Sequence, residues 1–195
     1  MEENKKKIVG FSDDVSLIKA IAGGNKNAFA ILAKKHIPII YSVAFRMNFS
    51  KSEAEDIAQE VMLKIWMNAE KWDVNKKAKV STWIYRITHN LCLDVLRKNK
   101  SNFNDNYMEI ADKSDNAEAQ YIKTEDDNIM QKLINELPER QRIALVFACY
   151  QELSYEEISH IMNTTVKSVE SLLVRAKKNL RTQAIKSNLL DGGRK

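Results

Sequence analysis

The chain of 195 residues has only five glycines and two prolines. Sheet-rich folds need many tight turns, and those turns use Gly, Pro and Asn. Their scarcity argues against an all-β fold. Lys, Glu, Ala, Leu and Ile are abundant and favour helices. Hydrophobic residues make up 44% of the chain, which is enough for a core. The composition predicts an all-α protein.

Cysteine is nearly absent, and the two present, Cys92 and Cys149, lie far apart in apolar helical patterns. We expect both to be buried free thiols in a reducing compartment. There is no C-x-x-C motif, and His36, His89 and His160 stand singly. Zinc sites need such ligands in clusters. We therefore predict no metal and no cofactor.

Long apolar runs are also missing. The N-terminal segment MEENKKKIVGFSDD is charged and lacks the apolar centre of a signal peptide. No stretch comes close to the roughly 18 apolar residues that a membrane span needs. The sequence predicts a cytoplasmic protein with no membrane insertion.

The net charge of +5 is unevenly distributed. Almost all of the charged residues between positions 76 and 100 are basic. Between 101 and 128 most charged residues are acidic, and from Thr164 onward most are basic again. The acidic stretch is rich in Asn, Asp and Ser and poor in large apolar residues, which is typical of a linker. We predict two small helical domains, at 12–100 and 126–185, joined by an acidic linker at 101–125.

Capping patterns divide the first domain into helices. Gly23-Gly24-Asn25 ends the first helix, and Ser50-Lys51-Ser52-Glu53 reads as a capping box that starts the third. Ser81 is predicted to cap the fourth helix. Its predicted buried stripe consists of Ile84, Ile87, Leu91 and Val95.

The second domain ends in a helix-turn-helix pattern. Ser154-Tyr155-Glu156-Glu157 opens a short helix, and Asn163-Thr164-Thr165 forms a turn before a longer basic helix. The start of that last helix would enter the major groove of duplex DNA, where an Arg side chain can donate two hydrogen bonds to guanine. Lys side chains can neutralise the phosphates of the backbone. A plain helical hairpin with a solvated basic face is the alternative. The residues that would face DNA are Thr165, Lys167, Ser168, Ser171, Arg175 and Lys178.

Aromatic and basic residues alternate where the fourth helix begins. The aromatic ones are Trp72, Trp83 and Tyr85, and basic ones such as Lys79 and Arg86 lie among them. Single-stranded DNA binds to such surfaces because bases stack on rings while cations follow the backbone. The alternative is that the tryptophans are core residues.

Two carboxylates, Asp56 and Glu60, lie four residues apart with Gln59 between them, so they share one helix face. A metal site or an acid/base pair is conceivable. No histidine and no third carboxylate has matching spacing, which favours a solvated face or a docking face for a basic partner.

Three blocks occur in order along the chain: AEDIAQEVMLKIW, KVSTWIYRITHNLCLDVLRK and LPERQRIALVFACYQELSYEEISHIM, followed by the basic helix. Together they resemble the extracytoplasmic-function sigma factors of bacterial RNA polymerase. The resemblance implies that the D-x-x-Q-E helix docks on the clamp helices of the largest polymerase subunit. It assigns core binding to Asp56, Gln59 and Glu60, with Leu63 and Trp66 as apolar neighbours.

The resemblance also assigns the two DNA surfaces. The loop and helix after the docking helix would engage the minus-ten element and hold one flipped base of the non-template strand. The positions concerned are Trp72, Lys76, Lys79, Thr82, Trp83, Arg86 and Asn90. The helix-turn-helix would read the minus-thirty-five element. Similar factors often carry basic residues where this chain has Glu170 and Leu172, so the individual base contacts stay open.

The predicted function is therefore promoter-specific initiation by a protein that binds core RNA polymerase, is not an enzyme, and is held by an anti-sigma factor. One alternative is a helix-turn-helix regulator that acts without docking on polymerase. Another is a metal-dependent nuclease that uses Asp56 and Glu60, which predicts cleavage dependent on Mg²⁺ or Mn²⁺.

Overall fold

The computed structural model describes residues 13–72, 79–105 and 125–186. Within these ranges the regular structure is entirely helical, which confirms the all-α prediction. The N-terminal half contains α1 Asp14–Ala22, α2 Lys26–Arg46, α3 Lys51–Asn68, a short 3-10 helix Ala69–Lys71, and α4 Val80–Asp105. The C-terminal half contains α5 Glu125–Asn135, α6 Glu139–Tyr150, α7 Tyr155–Ile161 and α8 Val166–Lys186.

The helix starts follow the capping residues. Both capping boxes form, because Ser50 and Ser154 each accept a hydrogen bond from the N3 backbone and each N3 glutamate accepts one in return. Gly24 has φ 80° between α1 and α2, a conformation that suits glycine. The prediction for Ser81 is wrong: α4 begins at Val80, and the N–H of Trp83 already donates to the carbonyl of Lys79.

The buried side of α4 also differs from the predicted stripe. Ile84 is fully buried, but Ile87, Leu91 and Val95 are only partly buried. Among residues 80–99 of this helix, the other buried ones are Val80, Thr82, Tyr85, Thr88, His89 and Cys92. The reason is that α4 packs on two sides, against α2 and α3 of its own half and against α7 of the other.

Helix α2 departs from the expectation that no stretch of the chain comes close to the length and apolarity of a membrane span. It spans 21 residues and reaches a mean hydropathy of 1.3, enough by length and composition to cross a membrane. In the fold, Leu32 and Ile40 are fully buried, and Nε2 of His36 lies 3.0 Å from Oδ2 of Asp14 on α1. Helix α2 therefore packs as a core helix against α1 and α3.

The helix-turn-helix forms as predicted from α7 and α8. Asn163 adopts a positive φ of 48° in the turn between them. Val169, Leu173 and Ala176 of α8 are buried against the rest of the C-terminal half. The outer face of α8 carries its polar residues together with the exposed apolar side chains of Val166, Val174 and Ile185.

The two cysteines behave differently. Cys92 is fully buried, and burial raises its pKa to about 12. Cys149 is exposed on α6, so the expectation that both thiols are buried is wrong for Cys149. The apolar stretch of the sequence extends beyond the last buried residues of α6 and includes Cys149. For that reason the sequence pattern suggested that Cys149 is buried.

The two halves share one continuous apolar core. The ring of Tyr85 on α4 lies 5.7 Å from that of Phe147 on α6. Nη1 of Arg142 donates to the carbonyl of Met47 at 3.1 Å, beyond the C-terminal end of α2. Nothing in the sequence pattern predicted this packing.

Candidate functional site

An open groove runs between α3 and α4 in the N-terminal half. It is lined by Glu53, Asp56, Ile57, Gln59, Glu60, Leu63, Leu91 and Val95. The structure thus brings together four of the five predicted docking residues. The apolar floor comes from both helices, because Leu91 and Val95 of α4 line the groove while they also pack against the core.

Acidic and apolar groups alternate along this groove. Asp56 is exposed, and Oε1 of Glu60 pairs with Nζ of Lys64 at 3.2 Å on the helix surface. Leu63 is 51% exposed and Met67, one turn further on, is 69% exposed. Sequence reasoning missed Met67, although its spacing of four from Leu63 was the available signal. Such a surface suits an amphipathic helix that carries basic residues.

Trp66, the fifth predicted docking residue, lies outside the residues that line the groove. Its ring meets that of Phe29 of α2 edge to face, at 5.1 Å between centroids. Trp66 is half-buried and packs against the core. Its role here is to hold α3 on α2.

One face of α4 collects residues predicted to contact single-stranded DNA. Lys79, Trp83, Arg86 and Asn90 recur at helical spacing, so they form one strip, which we call the strand face. The Trp72 ring lies 5.2 Å from Trp83, with the ring planes tilted by 45°. Both tryptophans are partly buried and pack against the core, which agrees in part with the alternative that they are core residues. The strand face thus offers the accessible part of the Trp83 ring beside the exposed cations Lys79 and Arg86. Lys76, also predicted here, lies outside the described residues.

The neighbours of Asn90 define its setting. Oδ1 of Asn90 lies 3.2 Å from Nδ1 of His89, while the Asn90 side chain itself is exposed. Burial lowers the pKa of His89, so its ring is neutral near pH 7 and one ring nitrogen carries a hydrogen. A contact of this kind orients the amide of Asn90.

Thr82 does not reach the strand face. It is only 6% exposed and lies toward the side of α4 that carries Tyr85 and His89. A buried hydroxyl on that side is not available to a DNA strand in this arrangement.

The outer face of α8 carries exposed Lys167, Arg175 and Lys178. Oγ1 of Thr165 accepts a hydrogen bond from the N–H of Ser168 at 3.2 Å, so Thr165 caps this helix. Ser168 and Ser171 are half-buried beside the exposed cations. The basic positions match a helix that contacts a phosphate backbone and base edges.

The two residues that depart from the expected pattern lie on different sides of α8. Leu172 packs against the core, so it does not face DNA in this fold. Glu170 is exposed. Its carboxylate can therefore either repel phosphate or accept a hydrogen bond from the N4 amino group of cytosine.

The carboxylates of α3 form no metal-binding cluster in the described part of the chain. Among residues 13–72, 79–105 and 125–186, no group of three or more His, Cys, Asp or Glu side chains is placed to hold a metal ion.

Two family models match this chain, one in each half. The model for sigma-70 region 2 matches residues 32–102, and the model for sigma-70 region 4 matches residues 127–180. The first match contains the groove and the strand face. The second contains the helix-turn-helix.

Curated relatives match along most of the chain. The ECF RNA polymerase sigma factor SigW of Bacillus subtilis is 33% identical over 177 residues, which cover 85% of this chain and 94% of the relative. The ECF RNA polymerase sigma factor SigM of Bacillus subtilis is 29% identical over 143 residues, covering 73% and 86%.

Solved structures share the fold. The sigma factor RpoE from Bartonella quintana, in a complex with the anti-sigma factor NepR, matches with a TM-score of 0.67 at 21% identity, covering 85% of this chain and 98% of that one. CnrH, in a complex with the cytosolic domain of CnrY, matches with a TM-score of 0.66 at 20% identity, covering 93% and 99%.

Proposed function

This chain belongs to the extracytoplasmic-function sigma factors of the sigma-70 family, and from that premise we propose a role for each of its three surfaces. A sigma factor binds core RNA polymerase and directs transcription initiation at specific promoters. The observation that carries the assignment is the order of the surfaces. An acidic-apolar groove and an aromatic-basic helix lie in the region 2 match, and a helix-turn-helix lies in the region 4 match.

The groove between α3 and α4 is proposed as the docking site for core polymerase. Asp56, Gln59 and Glu60 supply polar contacts to a basic helix, and Leu63 supplies an apolar one. Charge complementarity of this kind fixes which helix docks and in which register. Met67 extends the apolar contact by one turn.

The strand face of α4 is proposed to hold the melted non-template strand of the minus-ten element. The partly exposed ring of Trp83, with the Trp72 ring tilted against it, is proposed to stack on a base next to Arg86, which is exposed. A flipped base costs a few kcal/mol of stacking, and contacts in a pocket offset that cost.

Asn90→Ala is expected to impair promoter opening more than binding to closed duplex, because its amide would contact a base only after extrusion. Open-complex formation can be followed by permanganate reactivity, and duplex binding by the holoenzyme by gel shift. Asn99→Ala, on the same helix nine residues further on, is the matched control and should leave both unchanged. Equal defects of Asn90→Ala in both assays would contradict the role of Asn90.

Helix α8 is proposed to read the minus-thirty-five element as duplex DNA. The guanidinium group of Arg175 can recognise guanine through two hydrogen bonds, while Lys167 and Lys178 neutralise phosphates.

Arg175→Ala is expected to weaken binding to the cognate minus-thirty-five duplex by about 1–3 kcal/mol. Fluorescence anisotropy with cognate and scrambled duplexes at one salt concentration measures this. Arg181→Ala, on the same helix and also exposed, should lower affinity for both duplexes alike. An equal loss on both duplexes for Arg175→Ala would reduce Arg175 to a phosphate contact.

Control by an anti-sigma factor is part of the proposal. The sigma factor RpoE from Bartonella quintana is in a complex with the anti-sigma factor NepR, and the exposed acidic-apolar groove of this chain is the surface we propose for such a partner. We further propose that the protein acts in the cytoplasm, where polymerase works, and has no catalytic role of its own.

The test of the whole assignment is association of the purified chain with bacterial core RNA polymerase, followed by run-off transcription on a promoter library. Stable association with promoter-specific transcripts supports the proposal. Binding to duplex DNA without association with polymerase would favour the free-standing helix-turn-helix regulator. Mg²⁺-dependent cleavage lost in Asp56→Ala would favour the nuclease.

A further inference from the structure

One side of α2 is exposed and unusually apolar. Six exposed residues recur there at helical spacing, and we call them the outer face of α2: Asn27, Ala30, Ile31, Lys34, Ile37 and Pro38. Ile31 is 47% exposed and Ile37 is 39% exposed. The most apolar stretch of this helix has a mean hydropathy of 1.3, yet only 33% of it is buried inside the fold. A contiguous apolar surface of this kind indicates an interaction site.

Two aromatic rings extend the outer face toward the end of α2. The rings of Tyr41 and Phe45 stack with their centroids 6.0 Å apart and their planes within 9° of parallel. Both residues are half-buried and follow Lys34 and Pro38 at helical spacing. A tyrosine at the edge of an apolar surface has an apolar body and a polar hydroxyl, which suits a boundary between apolar and aqueous surroundings.

The charge carried by α2 is entirely positive. Its 21 residues include Lys26, Lys34, Lys35 and Arg46 but no aspartate and no glutamate. Nζ of Lys35 lies 2.7 Å from Oδ1 of Asp14 on α1, so the positive charge next to the exposed apolar side chains comes from Lys26 and Lys34.

The neighbouring helix α3 places one acid at the opposite end of the outer face. Burial raises the pKa of Tyr41, and the charge of Glu55 on α3 raises it further, so the two groups lie close together. The end of the outer face near Lys26 and Lys34 is therefore the positive one.

Charge and shape together favour one kind of partner. A second copy of the chain would bring the same lysines face to face, and like charges at an interface oppose binding. A partner helix binds best in a groove, whereas the outer face lies on one convex helix. An anionic bilayer surface fits both features. Apolar side chains enter its boundary layer, while the lysine stems lie along the apolar surface and the ammonium groups stay among the lipid phosphates.

Pro38 limits how deeply this helix can enter a bilayer. Proline has no N–H, so the carbonyl of Lys34 lacks the donor that an α-helix normally supplies four residues later. Hydrocarbon leaves such a carbonyl unsatisfied, whereas water among the lipid headgroups satisfies it. The opposite side of α2 packs against α1 and α3. Both features are compatible with attachment at the surface and not with a membrane span.

We propose that the outer face of α2 is a membrane-contact site that attaches this protein, peripherally and reversibly, to a bilayer of anionic phospholipid. The outer face is on a different helix from the docking groove, the strand face and the DNA-facing side of α8. The inference therefore does not rest on the functions proposed for those surfaces. One shallow apolar patch with few lysines gives weak attachment, which allows exchange between the membrane and polymerase.

The first test measures flotation of the full chain with vesicles at physiological salt. We expect binding to vesicles of phosphatidylglycerol and phosphatidylethanolamine, and much weaker binding to vesicles of phosphatidylcholine alone. Ile31→Gln with Ile37→Gln should lower the affinity for the anionic vesicles at least about tenfold, because two side chains no longer enter the boundary layer.

The matched control changes the other exposed apolar pair, Val174→Gln with Ile185→Gln on α8. Neither double variant alters the net charge, and both keep the N-terminal Lys5, Lys6 and Lys7, so general electrostatic attraction is the same in both. The control should bind the vesicles within about twofold of the unmutated chain, a difference too small to involve the loss of a buried side chain. Circular dichroism checks that both variants are folded.

The second test identifies the part of the surface that meets the lipid. An environment-sensitive dye is attached at Ala30→Cys on the outer face or at Lys177→Cys on α8, both exposed, in a Cys149→Ser background. Buried Cys92 stays unlabelled. With anionic vesicles we expect a blue shift of the emission for the dye at position 30 and none for the dye at position 177.

Three results would overturn the proposal. The first is an unmutated chain that does not bind anionic vesicles. The second is an equal loss of binding in the two double variants, or a blue shift at position 177 alone, since either assigns the attraction to another basic surface. The third is a dimer in sedimentation equilibrium without lipid that Ile31→Gln with Ile37→Gln converts to a monomer, since that assigns the outer face to a second copy.

Association with core RNA polymerase separates this inference from the proposed function. The double variant Ile31→Gln with Ile37→Gln should associate as the unmutated chain does, because neither residue lines the docking groove. A variant that loses polymerase but keeps the vesicles would assign the outer face to polymerase and overturn the membrane contact. If the unmutated chain binds vesicles but not polymerase, the proposed function fails and the membrane contact stands.

Discussion

Glu60→Lys is expected to abolish detectable association of the protein with core RNA polymerase. The substitution replaces an acid that lines the groove with a base, beside Lys64, where a basic helix is proposed to dock. Like charges brought together at an interface cost several kcal/mol, and each 1.4 kcal/mol is a factor of about ten in affinity. A loss of at least about a hundredfold follows. Size-exclusion chromatography of the mixed proteins, together with a competition assay against an unmutated labelled copy, measures it.

The matched control for this prediction is Glu55→Lys. Glu55 is exposed on the same helix but does not line the groove, so the charge change is the same and the location differs. Within α3 itself the cost of Glu60→Lys is small, because the lost surface pair with Lys64 contributes a few tenths of a kcal/mol. Circular dichroism should therefore show folded protein in both variants. Retained association of Glu60→Lys would remove Glu60 from the docking surface.

Much of the fold could be predicted because it depends on local chemistry. The capping boxes at Ser50 and Ser154 are satisfied within three residues along the chain, so their sequence pattern suffices. The buried positions of α8, such as Val169 and Leu173, follow from a single apolar stripe. The same holds for the carboxylates of the groove, whose spacing alone places them on one face of α3.

The parts that sequence reasoning missed depend on contacts distant in the chain. Leu91 and Val95 were predicted to be buried, yet they are only partly buried, because they line the groove as well as packing against the core. Tyr85 and His89, which lie outside the predicted stripe, are buried instead. A periodic pattern cannot distinguish a helix packed on one side from one packed on two. The ion pair between Lys79 and Glu157 joins residues that are 78 positions apart in the sequence. Taken singly, each of the two looks like an ordinary exposed charge.

Helix α4 therefore has three different environments around its circumference. One side closes the docking groove, one carries the strand face, and one receives the C-terminal half through Tyr85. The groove proposed for polymerase docking, the face proposed for strand binding and the contact with the C-terminal half thus lie on different sides of one helix.

Phe147→Ala is expected to lower the free energy of unfolding by about 3–5 kcal/mol, the range typical of large aromatic residues removed from a core. Phe147 is fully buried on α6, and its ring meets Tyr85 of the other half at 5.7 Å. The cavity would therefore open at the seam between the halves as well as inside the C-terminal one. Urea unfolding followed by circular dichroism and by tryptophan fluorescence measures the loss. All three tryptophans lie in the N-terminal half, so fluorescence reports that half alone.

Cys149→Ala, two residues further along α6 and exposed, is the control and should change stability by less than about 0.5 kcal/mol. If the halves unfold together, Phe147→Ala shifts both signals to the same lower urea midpoint. A shift confined to circular dichroism, with the tryptophan transition unmoved, would show that the seam contributes nothing to the N-terminal half. A loss of under about 1 kcal/mol would contradict the buried position of Phe147 itself, because only exposed sites tolerate truncation so well.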